Sequence, residues 1–202
     1  MSSFISHGLA AVTTYAATPP WKQPFTSRLG TLLWMGWLIV LAWMPDIDYA
    51  FPILRMSQHE GMRITHAVAS SLLVPALTGI ALYAAGLRSE KLRTCCWQSA
   101  IAGLSHILMD FCVGVIGLPL LWPFHKAVIA APIGLLPSAG SPHWQNYYFY
   151  QNLLIELGIV VPIMIVFLCN LPWQTNKLKL WQSLVLIGTA AYFLRWSIGL
   201  SR

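Results

Sequence analysis

Charge is what this sequence has least of. Lysine, arginine, aspartate and glutamate together make up 9% of its 202 residues, where a soluble domain carries about 25%. That scarcity excludes an ordinary solvated surface. With 57% hydrophobic residues and a mean hydropathy of +0.64, the chain reads as an integral membrane protein. The four cysteines, Cys95, Cys96, Cys112 and Cys169, lie in or beside apolar segments and lack the paired spacing of a zinc ribbon. Neither a disulfide framework nor a thiolate metal site is expected. The N-terminal stretch Met1 to His7 has no basic region and no clear cleavage site, so no removable signal peptide is expected. Internal repeats and low-complexity tracts are absent. The net charge of +6 comes from basic residues scattered over short loops. With no basic helix and no aromatic-basic platform, it speaks for topology and contact with anionic membrane lipids rather than nucleic acid.

What is present is a series of apolar segments. They predict an all-α, polytopic membrane helical bundle, a single domain over residues 1–202. It would have four to five spanning helices of about 20 residues each and a short N-terminal helix. Residues 4 to 18 form the short helix, stopped at Pro19-Pro20. Gly30 to Met44 is an apolar helix ended by Pro45, because proline cannot continue the hydrogen-bond ladder. A polar connector runs from Arg55 to Arg63. Ile64 to Leu87 is apolar again, with Pro75 as an expected kink, and Arg88 to Arg93 form the most charged loop. A further apolar run begins near Cys95 and loosens through Gly114, Gly117 and Pro119. Residues 119 to 146 read as a re-entrant or interfacial stretch; Tyr147 to Leu171 and Leu178 to Leu200 complete the spans. Ten tryptophans suit the interfacial belt. Basic residues at Lys22, Arg28, Arg88, Lys91, Arg93, Lys177 and Lys179 outnumber Arg55, Arg63, Lys126 and Arg202 on the other side, which favours the first side as cytoplasmic.

The polar residues that remain sit where they are costly. His106 and Asp110 are four apart on one face of an apolar helix. Ionisable groups at that depth face a bundle interior or a cavity and are functional candidates by default. The pair could equally bond to itself and lock helix packing. Asp46 and Asp48 flank one residue after Pro45; they could reach one ion, or cap a turn. His66 opens a span, and an interfacial histidine bonded to water is its structural reading. Glu156, alone in its span, is an interhelical hydrogen-bond partner or a support to a site. His106 lies about 18 Å into its helix, which brings it to the membrane face where Asp46, Asp48, His59 and His66 sit. Imidazole nitrogens and carboxylate oxygens are ligands of zinc, or of manganese where carboxylates predominate. Three protein ligands with an open position make a water-activating site. The rival function is a cation or proton transporter using the same buried His and Asp residues.

Pro45-Asp46-Ile47-Asp48, Thr65-His66 and Leu104-Ser105-His106 through Asp110 to Gly117-Leu118-Pro119-Leu120-Leu121-Trp122-Pro123 resemble the YdjM-like bacterial inner-membrane proteins, and His7-Gly8 fits the same pattern. Those are described as LexA-regulated, membrane-bound metal-dependent hydrolases. The ligand order is also similar to that of zinc-dependent phospholipases C and related nucleases. The resemblance implies a multi-pass protein of the bacterial inner membrane that hydrolyses a phosphoester such as a lipid headgroup. Its metal, zinc or else manganese, would be held by His7, Asp46, His66, His106 and Asp110. Asp48, His59 and Arg63 would serve catalysis, Arg63 by holding a phosphate oxygen. The chain departs from the family at Tyr49, where a His usually follows the Pro-Asp-Ile-Asp run. It departs again at Gly61, where His-Arg-Gly-x-Thr-His usually begins. The expected substitute is His59, with Glu60 fixing its tautomer.

Overall fold

In a computed structural model, residues 2–115, 117–138, 143 and 145–200 are described, and these carry helices and turns with no strand. The helices are α1 (Phe4–Ala16), α2 (Arg28–Trp43), α3 (Val68–Ala84), α4 (Ser89–Val113), α5 (Tyr147–Cys169) and α6 (Leu180–Ile198). The all-helical expectation therefore holds for the described residues. Arg202, used above for topology, and part of the stretch 119–146 lie outside them.

Among the described residues, two segments are long and apolar enough to cross a membrane: Arg28–Tyr49, which is α2 with the turn after it, and α5. That is fewer than four to five. α3 is apolar but has 17 residues. α4 has 25 residues, but Glu90, Lys91 and Arg93 fall inside its first turns rather than in a loop. An i,i+3 contact of 3.0 Å between Arg93 and Glu90 supports that charged start. α6 carries Gln182 near its start and Arg195 in its last turn.

The chain divides into two compact units, and α1 and α4 supply residues to both. The larger comprises His7–Leu108 and Gly117–Ile129. Its apolar core gathers Ala11, Trp34, Leu38, Leu41, Ala42, Cys95 and Ala102. Within that core the Trp34 indole donates to Gln98 Oε1 at 2.6 Å, and Gln98 Nε2 donates to Thr18 Oγ1 at 2.8 Å. Proline at position 75 has no N–H to give to the carbonyl of Ser71, four residues back. Gly103 of α4 sits against that carbonyl so closely that a Cβ would come within 2.6 Å of it. The two helices thus approach backbone to backbone one turn before His106. The stretch after α4 makes an antiparallel bridge, Leu118 to Ile129, and the Leu120 carbonyl accepts from the first residue of α3, Val68, at 3.1 Å.

The other unit comprises Met1–Ser6, Met109–Ile116 and Ala130–Arg202. α5 packs on α6 with Gly158 against the ring of Phe193, where a Cβ would lie 2.4 Å from ring atoms. The Cys112 carbonyl takes the backbone N–H groups of Leu135 and Leu136 at 2.7 and 3.0 Å. Gly114 has a positive φ of 69°, open to glycine without strain, and turns the chain away from the helix end.

Candidate metal centre

The centre is built where helices end. α2 stops at Trp43, and the chain tightens into a 3-10 turn, Met44–Tyr49, with Pro45 in its first positions. That turn buries Asp46 and Asp48. A second 3-10 turn, Ile64–His66, precedes α3 and buries His66; the expected single helix from Ile64 is broken there, and α3 begins at Val68. α1 contributes His7 and α4 contributes His106, both with no solvent exposure.

The change of helix type at the end of α2 leaves the Ala42 carbonyl in the last turn open to an outside donor. His106 Nδ1 takes it, at 2.6 Å. A carbonyl only accepts, so Nδ1 carries the proton and Nε2 presents its lone pair. That Nε2 lies 3.3 Å from His66 Nε2 and 3.7 Å from Asp46 Oδ1, and the same Asp46 oxygen lies 3.5 Å from His66 Nε2. His66 is held on its other side by Thr65, whose Oγ1 is 3.0 Å from Nδ1. The His7 ring stacks on His106 with centroids 3.8 Å apart and planes within 8°, and its donor nitrogen falls within 4.8 Å of those of Asp46 and His106. Two donors about 2.0–2.1 Å from one tetrahedral zinc stand about 3.3 Å apart. The triangle His66, His106 and Asp46 has nearly that edge, so the donor set fits a divalent cation in spacing and in kind.

Asp48 and Arg63 form the flank. Arg63 is 5% exposed and grips Asp48 in two places, Nε to Oδ2 at 2.8 Å and Nη2 to Oδ1 at 2.6 Å, while Nη2 also reaches Asp46 Oδ1 at 3.1 Å. Burial alone would lower its pKa. The hydrogen bond and charge of Asp48, with Tyr49 and Asp46 adding, outweigh that and raise it above the ordinary guanidinium value. Its guanidinium lies 5.0 Å over the Tyr49 ring. The residue standing where the family usually has histidine is therefore a cation–π partner to this arginine. Arg63 was expected to hold a phosphate oxygen; in this structure it holds two carboxylates.

His59 does not join the group. Its Nε2 bonds the Ile53 carbonyl at 2.8 Å. Glu60 and Gly61 both adopt left-handed backbone, with φ of 54° and 78°, and turn the connector back on itself. Glu60 is exposed and pairs with Lys126 at 2.9 Å instead of serving a histidine. Asp110 lies one helical turn beyond His106 on α4, and its Oδ1 accepts from the backbone N–H of Ser2 at 2.8 Å and from its hydroxyl at 3.2 Å. Glu156, fully buried, accepts from the backbone N–H of Ser3 at 2.9 and 3.1 Å.

Ser2, Ser3 and the Ala42 carbonyl escaped the sequence reading. Ser3 carried a signal: a serine directly before an apolar helix is an N-cap, and its Oγ accepts from Ser6 N at 3.2 Å. A backbone carbonyl leaves none. No curated protein and no solved structure matches the chain. A family model described as YdjM inner membrane protein matches residues 1–195, and the chain belongs to that family.

Proposed function

We propose that this chain is a membrane-embedded, metal-dependent hydrolase acting on a phosphoester of the kind found in lipid headgroups. The observation that carries the reading is the convergence of His66 Nε2, His106 Nε2 and Asp46 Oδ1 within 3.3 to 3.7 Å of one another. These residues would hold one cation, zinc by their nitrogen-rich character, with a position left open. Such an ion supplies a Lewis acid and brings the pKa of water down toward about 7.

The chain's own residues do the rest. The Ala42 carbonyl, accepting from Nδ1, turns the Nε2 lone pair of His106 inward, and the Thr65 hydroxyl holds the His66 ring by its Nδ1. Arg63 offsets the charge of Asp46 and Asp48, so that two buried carboxylates can stand side by side. His7, stacked on His106, would take up the water proton. In the hydrolysis, a water oxygen bonds to phosphorus and the ester P–O bond breaks. One water proton would pass to His7 and from there to the leaving alkoxide, which departs as the alcohol and leaves His7 neutral again.

The apolar helices beyond α2 and α5 complete a multi-pass bundle of four to five spans, with the Arg88 to Arg93 region cytoplasmic. Labelling with an impermeant thiol reagent in intact cells tests this: Ser57→Cys should react and a cysteine at Arg88 should not.

The activity is tested with purified protein and short-chain phospholipid or a nitrophenyl phosphodiester, followed by phosphorus NMR with and without added zinc or manganese. Hydrolysis that requires the cation and is lost in His106→Ala supports the reading. A metal-loaded protein that cleaves no phosphoester overturns it, and cation flux in proteoliposomes would then favour transport.

A further inference from the structure

The residues that lead away from the centre are apolar and uncovered. The turn that carries Asp46 continues to Tyr49, Phe51 and Ile53, which are 59%, 52% and 74% exposed. A second turn presents Leu121 at 54% and Phe124 at 91%. The two stretches belong to one surface of the larger unit, joined by Lys126, which follows Phe124, and Glu60, which follows the Ile53 turn; the ammonium reaches both carboxylate oxygens at 2.9 and 3.1 Å. The second turn is also tied to the ligand-bearing segment, through the bond from Val68 N to the Leu120 carbonyl two residues after His66.

Isolated apolar side chains on a surface need no explanation, but several grouped at one rim do. Their place along the chain names the occupant. The apolar segment Arg28–Tyr49 is long enough to cross a bilayer, and Phe51 and Ile53 follow directly on its end. That is the depth of the headgroup and acyl boundary, where aromatic and aliphatic side chains beside charged ones are stable. Arg55 and the Lys126–Glu60 pair supply the polar neighbours.

We infer that the Tyr49 to Ile53 and Leu121 to Phe124 turns insert into the lipid headgroup and acyl boundary, so that the metal centre opens toward the bilayer and takes a lipid-borne ester from it. The insertion rests on the exposure of these side chains and on the apolar segment that precedes them; its link to substrate class rests on the hydrolase reading above. The rim grips the acyl part of a lipid and leaves the headgroup phosphate to the buried cluster. A soluble ester would meet the same cluster without using the rim.

Photo-crosslinking tests the insertion without needing activity. The full chain, with p-benzoylphenylalanine in place of Phe124 or of Ile53, is reconstituted in vesicles of phosphatidylethanolamine and phosphatidylglycerol and irradiated. Phospholipid adducts at both positions are expected by mass spectrometry, several-fold above those at exposed Gln58 on the same connector. Adducts no more frequent than at Gln58, or adducts to a protein, overturn the insertion. In a second arm, Ile53→Ser with Phe124→Ser should lower hydrolysis of long-chain lipid in vesicles at least about 10-fold while sparing a soluble short-chain ester. Equal loss on both substrates overturns the lipid-entry role. Crosslinking to lipid without hydrolysis of either ester would leave the insertion standing and remove the hydrolase reading.

Discussion

Two groups of buried acids occupy this chain, and their neighbours are opposite in kind. Around Asp46 the neighbours are the side chains of candidate ligands: two imidazole Nε2 atoms within 3.7 Å of the same carboxylate oxygen, a third histidine stacked alongside, and one arginine to the side. Around Glu156 the neighbours are donors, both its oxygens accepting from the Ser3 backbone N–H, while Asp110 accepts from Ser2 through one oxygen, Oδ1. Both groups are costly to bury. The first has the donor types of a cation site, and in the second the backbone N–H groups of Ser2 and Ser3 bond the acids and anchor the start of α1. A buried carboxylate in an apolar chain is thus no sign of a ligand by itself; what faces it decides.

Substitutions should separate the two groups. The largest effect is expected at the imidazoles: His106→Ala or His66→Ala should lower zinc affinity more than about 100-fold, beyond the 10- to 100-fold typical of residues that only orient ligands. Competition with a chelating dye measures it, and retained affinity would reduce the imidazole contact to a packing device. Arg63→Met leaves Asp46 and Asp48 buried without their counter-charge and should cost about 3–5 kcal/mol of stability. The loss should appear in thermal unfolding in detergent and be partly recovered by added zinc, whereas an unchanged melting temperature would deny the arginine its role.

Asp110→Asn tests the border between the groups. The amide oxygen can still accept from Ser2, but the negative charge one turn from His106 is gone. Zinc affinity should fall by about 10-fold, the lower end of the range for a supporting residue; a loss as large as in His106→Ala would make Asp110 a ligand. Glu156→Gln keeps an acceptor for Ser3 and should cost about 1 kcal/mol of stability with zinc affinity unchanged. The smallest effect is expected at His59. With its ring on the Ile53 carbonyl, His59→Ala should leave zinc content as it was, and a 10-fold loss would show that the connector rearranges around the ion.

Much of this arrangement was legible in the residues. Pro45 marked the end of α2, and the polar residues Asp46, His66 and His106 stood out because an apolar chain has no ordinary use for them. The break between the Ile64–His66 turn and α3 was not legible, since an apolar run reads the same as helix or as turn followed by helix. The charged start of α4 was mistaken for loop because charge was equated with solvent. Its Glu90 to Arg93 spacing is in fact a helical one. The place of His59 hinged on Glu60, a residue with no glycine-like licence for positive φ, and no local pattern announces that conformation. The role of Arg63 was misjudged for a similar reason: its carboxylate partners lie 15 and 17 residues away, and only the folded connector brings them to it.

X-ray absorption at the zinc edge, on protein reconstituted with one equivalent of zinc, tests the central claim most directly. The account predicts a first shell of nitrogen and oxygen at about 2.0–2.2 Å, with the outer-shell scattering of imidazole rings, and loss of that scattering in the His66→Ala, His106→Ala double variant. A shell of water oxygens without imidazole, a sulfur shell at about 2.3 Å, or a spectrum unchanged by the double variant would contradict it.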